Sequence, residues 1–180
     1  MKLHEIRDHL KKRGAYNDKL RVALVDWLAT EKSKDMCMGI TIMPKKIKYM
    51  PRKGIELAER HVRKDELVQR AGRFVHLLNS CIYKNAYRRN GKKLDCVMTV
   101  EGERSCKDLH CHFAFSKPHT MTAREFNELV KKALAMSDDF CMYSERTNAP
   151  QHKVDIADSE WMRYITKELD SKSFANLHLF

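Results

Sequence analysis

The distribution of apolar residues predicts several short strands, separated by helices and loops. Strands are predicted over residues 36–43, 94–103, 108–116, 140–145 and 152–156. The second and third of these follow an Asn-Gly turn signal and are close enough in sequence to pair as a hairpin. The basic stretch 43–54, bounded by two prolines, is predicted to form a loop.

Three helices are predicted among these strands. One covers residues 55–88, with candidate core positions at Leu57, His61, Leu67, Ala71, Val75 and Leu78. A second, over 120–136, begins with a capping box formed by Thr122 and Glu125. A third, over 160–169, begins at Asp158 or Ser159. This order of elements predicts an α+β domain over residues 34–180, in which helices pack against a central antiparallel sheet.

Residues 1–33 are predicted to form an N-terminal helical appendage, with two short helices on either side of Gly14. Packing of this appendage on the main domain is the simpler interpretation. A helix pair in a basic protein is also compatible with a DNA-reading helix-turn-helix, so that alternative stays open.

Length and charge narrow the class of protein. The chain has 180 residues, which bounds it to one compact domain, and 43% of them are apolar. The formal net charge is +11, which favours a polyanionic partner such as nucleic acid. No apolar run is long enough for a membrane span, and the first residues lack a secretory pattern, so a cytoplasmic location is expected.

The cysteine spacing and the lack of a nucleotide-binding motif exclude further classes of protein. The six cysteines are expected to stay reduced, and no C-x-x-C pair indicates a zinc ribbon. No P-loop motif occurs, so the sequence predicts no nucleotide-driven motor.

The segment LHCHFAFSKP contains a candidate metal site. Because side chains alternate between the faces of a strand, His110 and His112 are expected to share one face and Cys111 to point to the other. Glu101 and Glu103 lie on the neighbouring predicted strand and are the candidates for a carboxylate ligand. Two histidines and one carboxylate leave coordination positions open, as a catalytic metal requires.

Two other interpretations of these histidines stay open. They are equally compatible with a pair of surface or hydrogen-bonded histidines, since H-x-H is a short motif. A structural zinc site formed by Cys106, His110, Cys111 and His112 is a further alternative, although strand alternation places Cys111 away from the histidines.

The segment WMRYITK near the C-terminus contains a second candidate group. Tyr164 and Lys167 are three residues apart and therefore neighbours on one face of a helix. A phenol is a poor nucleophile until a cation or a polarised phosphate assists it, and Lys167 is placed to do so. The alternative is an ordinary amphipathic helix, with the tyrosine at the edge of the core and the lysine in solvent.

Taken together, the order His110-Cys111-His112 followed by Tyr164…Lys167 resembles the HUH endonucleases. It is most similar to the single-tyrosine rolling-circle replication initiators of plasmids and phages. The resemblance covers residues 36–170, and the segment 36–43 matches the position of the first strand motif loosely. It implies a sheet of about five strands with flanking helices.

The resemblance also implies a mechanism. The family nicks single-stranded DNA and stays attached to it through a 5′-phosphotyrosine. Here Tyr164 would be the nucleophile, His110 and His112 would ligate Mg²⁺ or Mn²⁺, and Lys167 would assist near the phosphate. Glu101 would be the third ligand, with Glu103 as the alternate. The implied partners are single-stranded DNA or a replication-origin hairpin, with a host helicase and polymerase, in a prokaryotic cell carrying the plasmid or phage.

Other functions remain as alternatives. A single-tyrosine transposase or relaxase uses the same chemistry. A non-catalytic nucleic-acid-binding module would bind DNA through basic and aromatic residues without a covalent adduct. A zinc-stabilised interaction domain would lose its fold on chelation.

Overall fold

A five-stranded antiparallel sheet organises the chain. The computed structural model describes residues 26, 36–52, 56–102, 108–143, 152–166 and 176–180. The strands are β1 (Met36–Ile42), β2 (Ile47–Tyr49), β3 (Ala58–Arg60), β4 (Cys96–Glu101), β5 (His110–Ser116), β6 (His152–Ile156) and β7 (Leu177–Leu179). The helices are α1 (Lys64–Tyr83), α2 (Asn85–Asn90), α3 (Ala123–Ser137) and α4 (Ser159–Ile165). Apart from Asp26, the predicted appendage over residues 1–33 lies outside the described residues.

The order of strands across the sheet places β5 at its centre. The order is β6-β1-β5-β4-β7, and β2 pairs with β3 in a separate hairpin. The predicted hairpin of β4 and β5 is confirmed, as is the α+β architecture of a five-stranded antiparallel sheet with flanking helices. This is the architecture that the family resemblance implies.

One face of the sheet is covered by α1 and α3. Phe113 and Phe115 project from β5 into this core, where their ring centroids lie 5.5 and 6.4 Å from that of Phe74 in α1. Phe126 of α3 packs on Phe115 at 6.1 Å. All four rings are fully buried, so each contributes about 1.5–3 kcal/mol of apolar burial. Side chains alternate between the two faces of a strand, so the residues of β5 on either side of Phe113 and Phe115 point to the opposite face of the sheet. The helices α1 and α3 do not cover that face.

The capping predictions are confirmed at two helices. At α3 the side chain of Thr122 accepts from the backbone N–H of Glu125, and the Glu125 carboxylate accepts from the backbone N–H of Thr122. At α4 the Asp158 carboxylate accepts from the backbone N–H of Trp161 at 2.8 Å. Each such cap is worth about 1 kcal/mol.

The prediction of one helix over residues 55–88 is wrong at its start, and the helix is also interrupted at Lys84, between α1 and α2. Residues 58–60 form β3, which pairs with β2 inside the predicted loop 43–54, and the helix begins only at Lys64. A fork of two hydrogen bonds from Arg60 to the Glu66 carboxylate joins the hairpin to the first turn of α1. The helical spacing that extended the prediction came from Leu57 and His61, and both side chains are exposed.

The fifth strand of the sheet is also not the predicted one. Among the described residues of 140–145, Phe140 makes only an isolated bridge with Pro44. Its place in the sheet is taken by β7, which pairs with β4 and was not predicted. A segment of three residues is too short for its periodicity to be recognised. Among the described residues, no helix combines the length and the apolar character needed to cross a membrane.

The carboxylate of Glu66 makes the stability of this fold depend on pH. Hydrogen bonds from Arg60 and from the backbone N–H of Arg63 lower the pKa of Glu66 to about 2. In an unfolded chain the value is about 4.3, so the folded state favours the ionised form. The contribution of the ionised Glu66 to the free energy of unfolding is therefore complete above about pH 4.3, and it is lost as the pH falls towards 2.

Urea unfolding between pH 2 and 6 tests this. We expect the free energy of unfolding to fall towards acid, and Glu66→Gln to lose part of that dependence because its amide cannot ionise. Glu56→Gln, at an exposed position outside this network, is the matched control. Identical pH profiles for the two variants would contradict the assignment.

Candidate active site

Three predicted ligands meet on the face of the sheet opposite the helical core. In the pairing of β4 with β5, Glu101 lies directly opposite His110, and Thr99 lies opposite His112. The strand alternation thereby brings Glu101, His110 and His112 together, with one ligand atom of each within 4.8 Å of the others. Cys111 points to the other face, as predicted, and is fully buried there.

The two distances from Glu101 to the histidines are those of ligands that share one divalent metal. Oε2 of Glu101 lies 3.1 Å from Nε2 of His112 and 3.4 Å from Nε2 of His110. Ligand atoms bound at about 2.1 Å from one ion, at angles of about 90–109°, lie roughly 3.0–3.4 Å apart. The Glu101 and His112 side chains are almost completely buried, while that of His110 is 14% exposed. The group can therefore hold a divalent metal with one side open.

Neighbouring groups orient both histidine rings. The backbone carbonyl of Asp108 lies 2.9 Å from Nδ1 of His110, and because a carbonyl only accepts, this Nδ1 carries the proton. In the neutral ring the lone pair then belongs to Nε2, which faces the Glu101 carboxylate. Thr41 Oγ1 lies 2.8 Å from Nδ1 of His112. A lone pair and a carboxylate facing each other at this distance favour a cation between them, and outer partners of this kind typically orient metal ligands.

Tyr164 lies beside this group. Helix α4 sits over the same face of the sheet, and the centroid of the Tyr164 ring is 5.2 Å from that of His112. The tyrosine is 45% exposed, so its phenol can be reached by a substrate. A two-histidine, one-carboxylate group and an accessible tyrosine thus share one cleft.

Trp161 fixes α4 on the sheet. Its indole N–H donates to the backbone carbonyl of Phe113 at 3.3 Å, and its ring lies 5.9 Å from His112 and 5.8 Å from Tyr164. The ring rests on Gly39 of β1, where an added Cβ would lie 2.5 Å from Cε2 of Trp161. Glycine is required at this strand position because the indole occupies the space of a side chain.

Gly39→Ala is expected to displace Trp161 and with it Tyr164. Overpacking of this kind costs about 1–3 kcal/mol of unfolding free energy, measurable by urea denaturation. Gly72→Ala is the matched control, because its Cβ would meet Phe180 at an ordinary 3.6 Å and alanine favours the helix by about 0.5–1 kcal/mol. Equal stability of Gly39→Ala and the wild type would contradict this role for Gly39.

The cleft in front of the candidate ligands is far larger than a metal site alone. It encloses about 920 Å³ and is lined by His110, His112, Thr41, Met43, Lys153, Asp155, Ile156, Asp158, Glu160, Trp161 and Tyr164. A water molecule takes about 30 Å³, so there is room for a substrate as well as an ion. Lys153 enters from β6, in the register row Lys153-Thr41-His112, and pairs with Asp155 at 2.6 Å.

Two predicted site residues lie outside the described residues: Lys167 and Glu103. Of the predicted carboxylates, Glu101 is therefore the one that the structure brings to the histidines. Cys106 of the alternative zinc cluster is also outside the described residues, and Cys111 faces away from His110 and His112. Burial raises the pKa of the Cys111 thiol, which disfavours the thiolate that zinc binding requires.

Sequence analysis missed Thr41, Gly39, Trp161 and Lys153. A glycine inside a strand signals the close approach of another group, so Gly39 carried a usable signal. The other three depend on tertiary contacts: Thr41 and Lys153 reach the cleft because β1 lies between β5 and β6, and Trp161 because its helix packs on the sheet. Nothing in the sequence establishes that order.

Comparison with known proteins adds no family assignment. No family model and no curated protein matches the chain. A solved structure, the N-terminal nuclease domain of minute virus of mice non-structural protein 1, is 12% identical over 92% of this chain and 73% of that chain, with a TM-score of 0.29. That viral domain coordinates Zn²⁺ in its active-site pocket and recognises DNA at the origin of replication. A TM-score of this size carries no argument about the fold or function of this chain.

Proposed function

We propose that the chain is a metal-dependent endonuclease that cleaves single-stranded DNA with Tyr164 as nucleophile. One observation supports this most directly: the Tyr164 ring lies 5.2 Å from that of His112, beside the group of Glu101, His110 and His112. Either half of this arrangement alone is common in proteins. An accessible phenol next to a candidate metal group is what phosphoryl transfer to tyrosine requires.

The chemistry assigned to Tyr164 is an in-line displacement at phosphorus. A bond forms between the phenolic oxygen and phosphorus as the bond from phosphorus to the 3′ oxygen breaks. The phenol loses its proton to solvent, and the departing oxygen takes one up and leaves as a 3′-hydroxyl. The 5′-phosphotyrosine conserves the bond energy, so the reverse attack by a 3′-hydroxyl rejoins the strand without a nucleotide cofactor.

Glu101, His110 and His112 would hold the metal, with Mg²⁺ or Mn²⁺ as the proposed ion. When bound, the ion would polarise the phosphate oxygens and offset the charge that develops on them. Thr41 and the Asp108 carbonyl keep the two imidazoles directed at Glu101. Lys153 lies in the same cleft and would be a further cation near the phosphate, in addition to Lys167, for which this role stays a prediction.

The biological role proposed for this chemistry is initiation of rolling-circle replication of a plasmid or phage. The DNA partner would be a single-stranded or hairpin replication origin, extended by a host helicase and polymerase. A transposase or relaxase would use the same residues on a different DNA, so the target sequence distinguishes these roles.

Incubation with single-stranded oligonucleotides of random sequence and Mn²⁺ tests the proposal. We expect a covalent protein–DNA adduct that survives denaturing electrophoresis and maps by mass spectrometry to Tyr164. Tight, metal-independent binding of the same oligonucleotides without any adduct would instead favour a non-catalytic binding module. A second set of oligonucleotides is taken from the plasmid or phage DNA that neighbours the gene, since nicking is expected to depend on sequence.

A further inference from the structure

The cleft that holds the candidate ligands is not itself basic. The charged side chains that line it, besides the two histidines, are one lysine, Lys153, and three carboxylates, Asp155, Asp158 and Glu160. Lys153 is paired with Asp155. A DNA strand carries one negative charge per phosphate, so this cleft by itself repels it. The charge that binds DNA must lie elsewhere on the protein.

Seven other cations of the described residues lie within ion-pair distance of a carboxylate. The pairs are Lys45–Asp138, Lys48–Glu59, Arg60–Glu66, Arg63–Asp65, Arg70–Asp139, Arg73–Asp139 and Lys131–Glu128. Such pairs present little net charge to a polyanion, because each carboxylate screens its partner.

One surface differs, and we call it the basic segment: residues 84–93, which include α2. It contains Lys84, Arg88, Arg89, Lys92 and Lys93, and no acidic residue. All five side chains are exposed, and none pairs with a carboxylate of the described residues. Five exposed cations within ten residues, with no acidic residue among them, are the densest such run in the part of the chain that the structure describes.

The segment has a defined shape. Its α2 helix ends at Gly91, which has a left-handed φ of 63° and turns the chain towards β4. The Lys92 ammonium lies 5.1 Å above the ring of Tyr83, and the Tyr87 hydroxyl is hydrogen bonded to Nδ1 of His76 at 2.9 Å. Two contacts therefore join the segment to α1, so its cations form a preorganised surface, which lowers the entropy cost of binding.

The segment lies at the far end of the sheet from the cleft. It leads into the first residue of β4, Cys96, whereas the candidate ligand Glu101 is the last residue of that strand. Five residues at about 3.4 Å each separate the two ends by about 17 Å. Duplex DNA rises about 3.4 Å per base pair, so this distance corresponds to about five base pairs, and an extended single strand spans it with fewer nucleotides.

We propose that the basic segment binds the phosphate backbone of DNA that flanks the reacting phosphate, about 17 Å away from it. Lysine and arginine side chains without carboxylate partners release counterions when they meet phosphates, which is the main source of sequence-independent affinity. That this DNA belongs to a cleaved substrate rests on the proposed function; that the segment binds DNA does not. Single-stranded and duplex DNA share this backbone chemistry, and the experiment distinguishes them.

The test compares Arg88→Gln/Arg89→Gln with the wild type. Fluorescein-labelled DNA of random sequence, single-stranded or duplex and about 30 nucleotides long, is titrated at several salt concentrations. Loss of two phosphate contacts is expected to lower the slope of log K against log salt by about 1.8 for duplex, or about 1.4 for a single strand. The affinity at about 0.1 M salt falls about 10- to 100-fold. We then compare how much the substitutions lower this slope, as a fraction of the wild-type value, for each form of DNA. The form with the larger fractional loss is the one that the basic segment binds.

Lys131→Gln/Lys132→Gln in α3 is the matched control, because it removes the same charge elsewhere. Equal slopes for the two double variants would overturn the proposal. Melting temperatures near that of the wild type establish that both are folded. A second measurement uses wild-type protein and oligonucleotides whose duplex flanks end less than about five base pairs from the cut, which are expected to bind as weakly as the variant binds full-length DNA. If short and long flanks bind equally, the segment does not contact flanking DNA.

The two proposals fail separately. If the wild type forms no adduct with any oligonucleotide, yet Arg88→Gln/Arg89→Gln reduces the salt slope, the DNA surface stands and the proposed nuclease activity fails. If an adduct forms at Tyr164 and the variant binds like the control, the nuclease activity stands and the DNA surface fails.

Discussion

Tyr164→Phe is expected to abolish the covalent protein–DNA adduct and to lower the rate of strand cleavage at least about a thousandfold, or about 4 kcal/mol in the barrier. The reason is chemical, since phenylalanine keeps the ring beside His112 but lacks the oxygen that bonds to phosphorus. The ring contacts with Trp161 and His112 persist, so the melting temperature is expected to stay close to that of the wild type. The measurement is the initial rate of adduct formation on a denaturing gel.

Tyr143→Phe is the control for this prediction. Tyr143 is even more exposed than Tyr164, at 55% against 45%, but it lines a neighbouring cleft formed with Lys45 and Lys46. It is expected to retain full cleavage. An adduct that persists in Tyr164→Phe and disappears in Tyr143→Phe would reassign the nucleophile.

Removal of a metal ligand is expected to have the second large effect. At a concentration of about 100 times Kd, a bound ion stabilises the folded state by about 2.7 kcal/mol. For a chain of this size that raises the melting temperature by roughly 5–10 °C. In Glu101→Gln and His112→Ala the rise on adding Mn²⁺ is expected to shrink below about 2 °C, and cleavage to fall at least about a hundredfold. Each variant is compared with its own metal-free form, so a change in stability caused by the substitution itself does not affect the measured rise in melting temperature.

His119→Ala is the matched control, because His119 is exposed and lies outside the candidate ligand group. It is expected to keep both the metal-dependent rise in melting temperature and the cleavage activity. Unchanged cleavage by Glu101→Gln in excess chelator would refute the metal assignment. An unchanged rise in melting temperature in Glu101→Gln and His112→Ala would show that the ion binds elsewhere.

The separation of charge from the cleft has a consequence for both tests. The carboxylates Asp155, Asp158 and Glu160 around Tyr164 favour a cation in the cleft and disfavour a polyanion that enters without one. DNA binding measured without metal therefore reports mainly on distant cations such as those of the basic segment. Cleavage requires the cleft to accept a phosphate as well, so cleavage is expected to depend on metal more steeply than DNA binding does.

Local sequence determined the parts of this protein that depend on neighbouring residues. The capping box of Thr122 and Glu125 defined the start of α3, since both partners of the box lie within one turn. Alternation along β5 placed His110 and His112 on one face and Cys111 on the other, because a strand has a period of two. The hairpin of β4 and β5 followed from the short connection between two apolar runs, whereas its register, which pairs Glu101 with His110, came from the structure.

Tertiary structure decided what depends on contacts between distant residues. The start of α1 at Lys64 reflects the Arg60–Glu66 pair and the β2–β3 hairpin, which compete with a helical pattern that local spacing also fits. The place of β7 as the fifth strand depends on its partner β4, since three residues carry no period of their own. The site itself needed this level of structure: Tyr164 meets His112 only because Trp161 rests on Gly39, a strand away from β5. Contacts of this kind join residues more than 70 positions apart, such as Thr41 and His112, and periodicity carries no information over such separations.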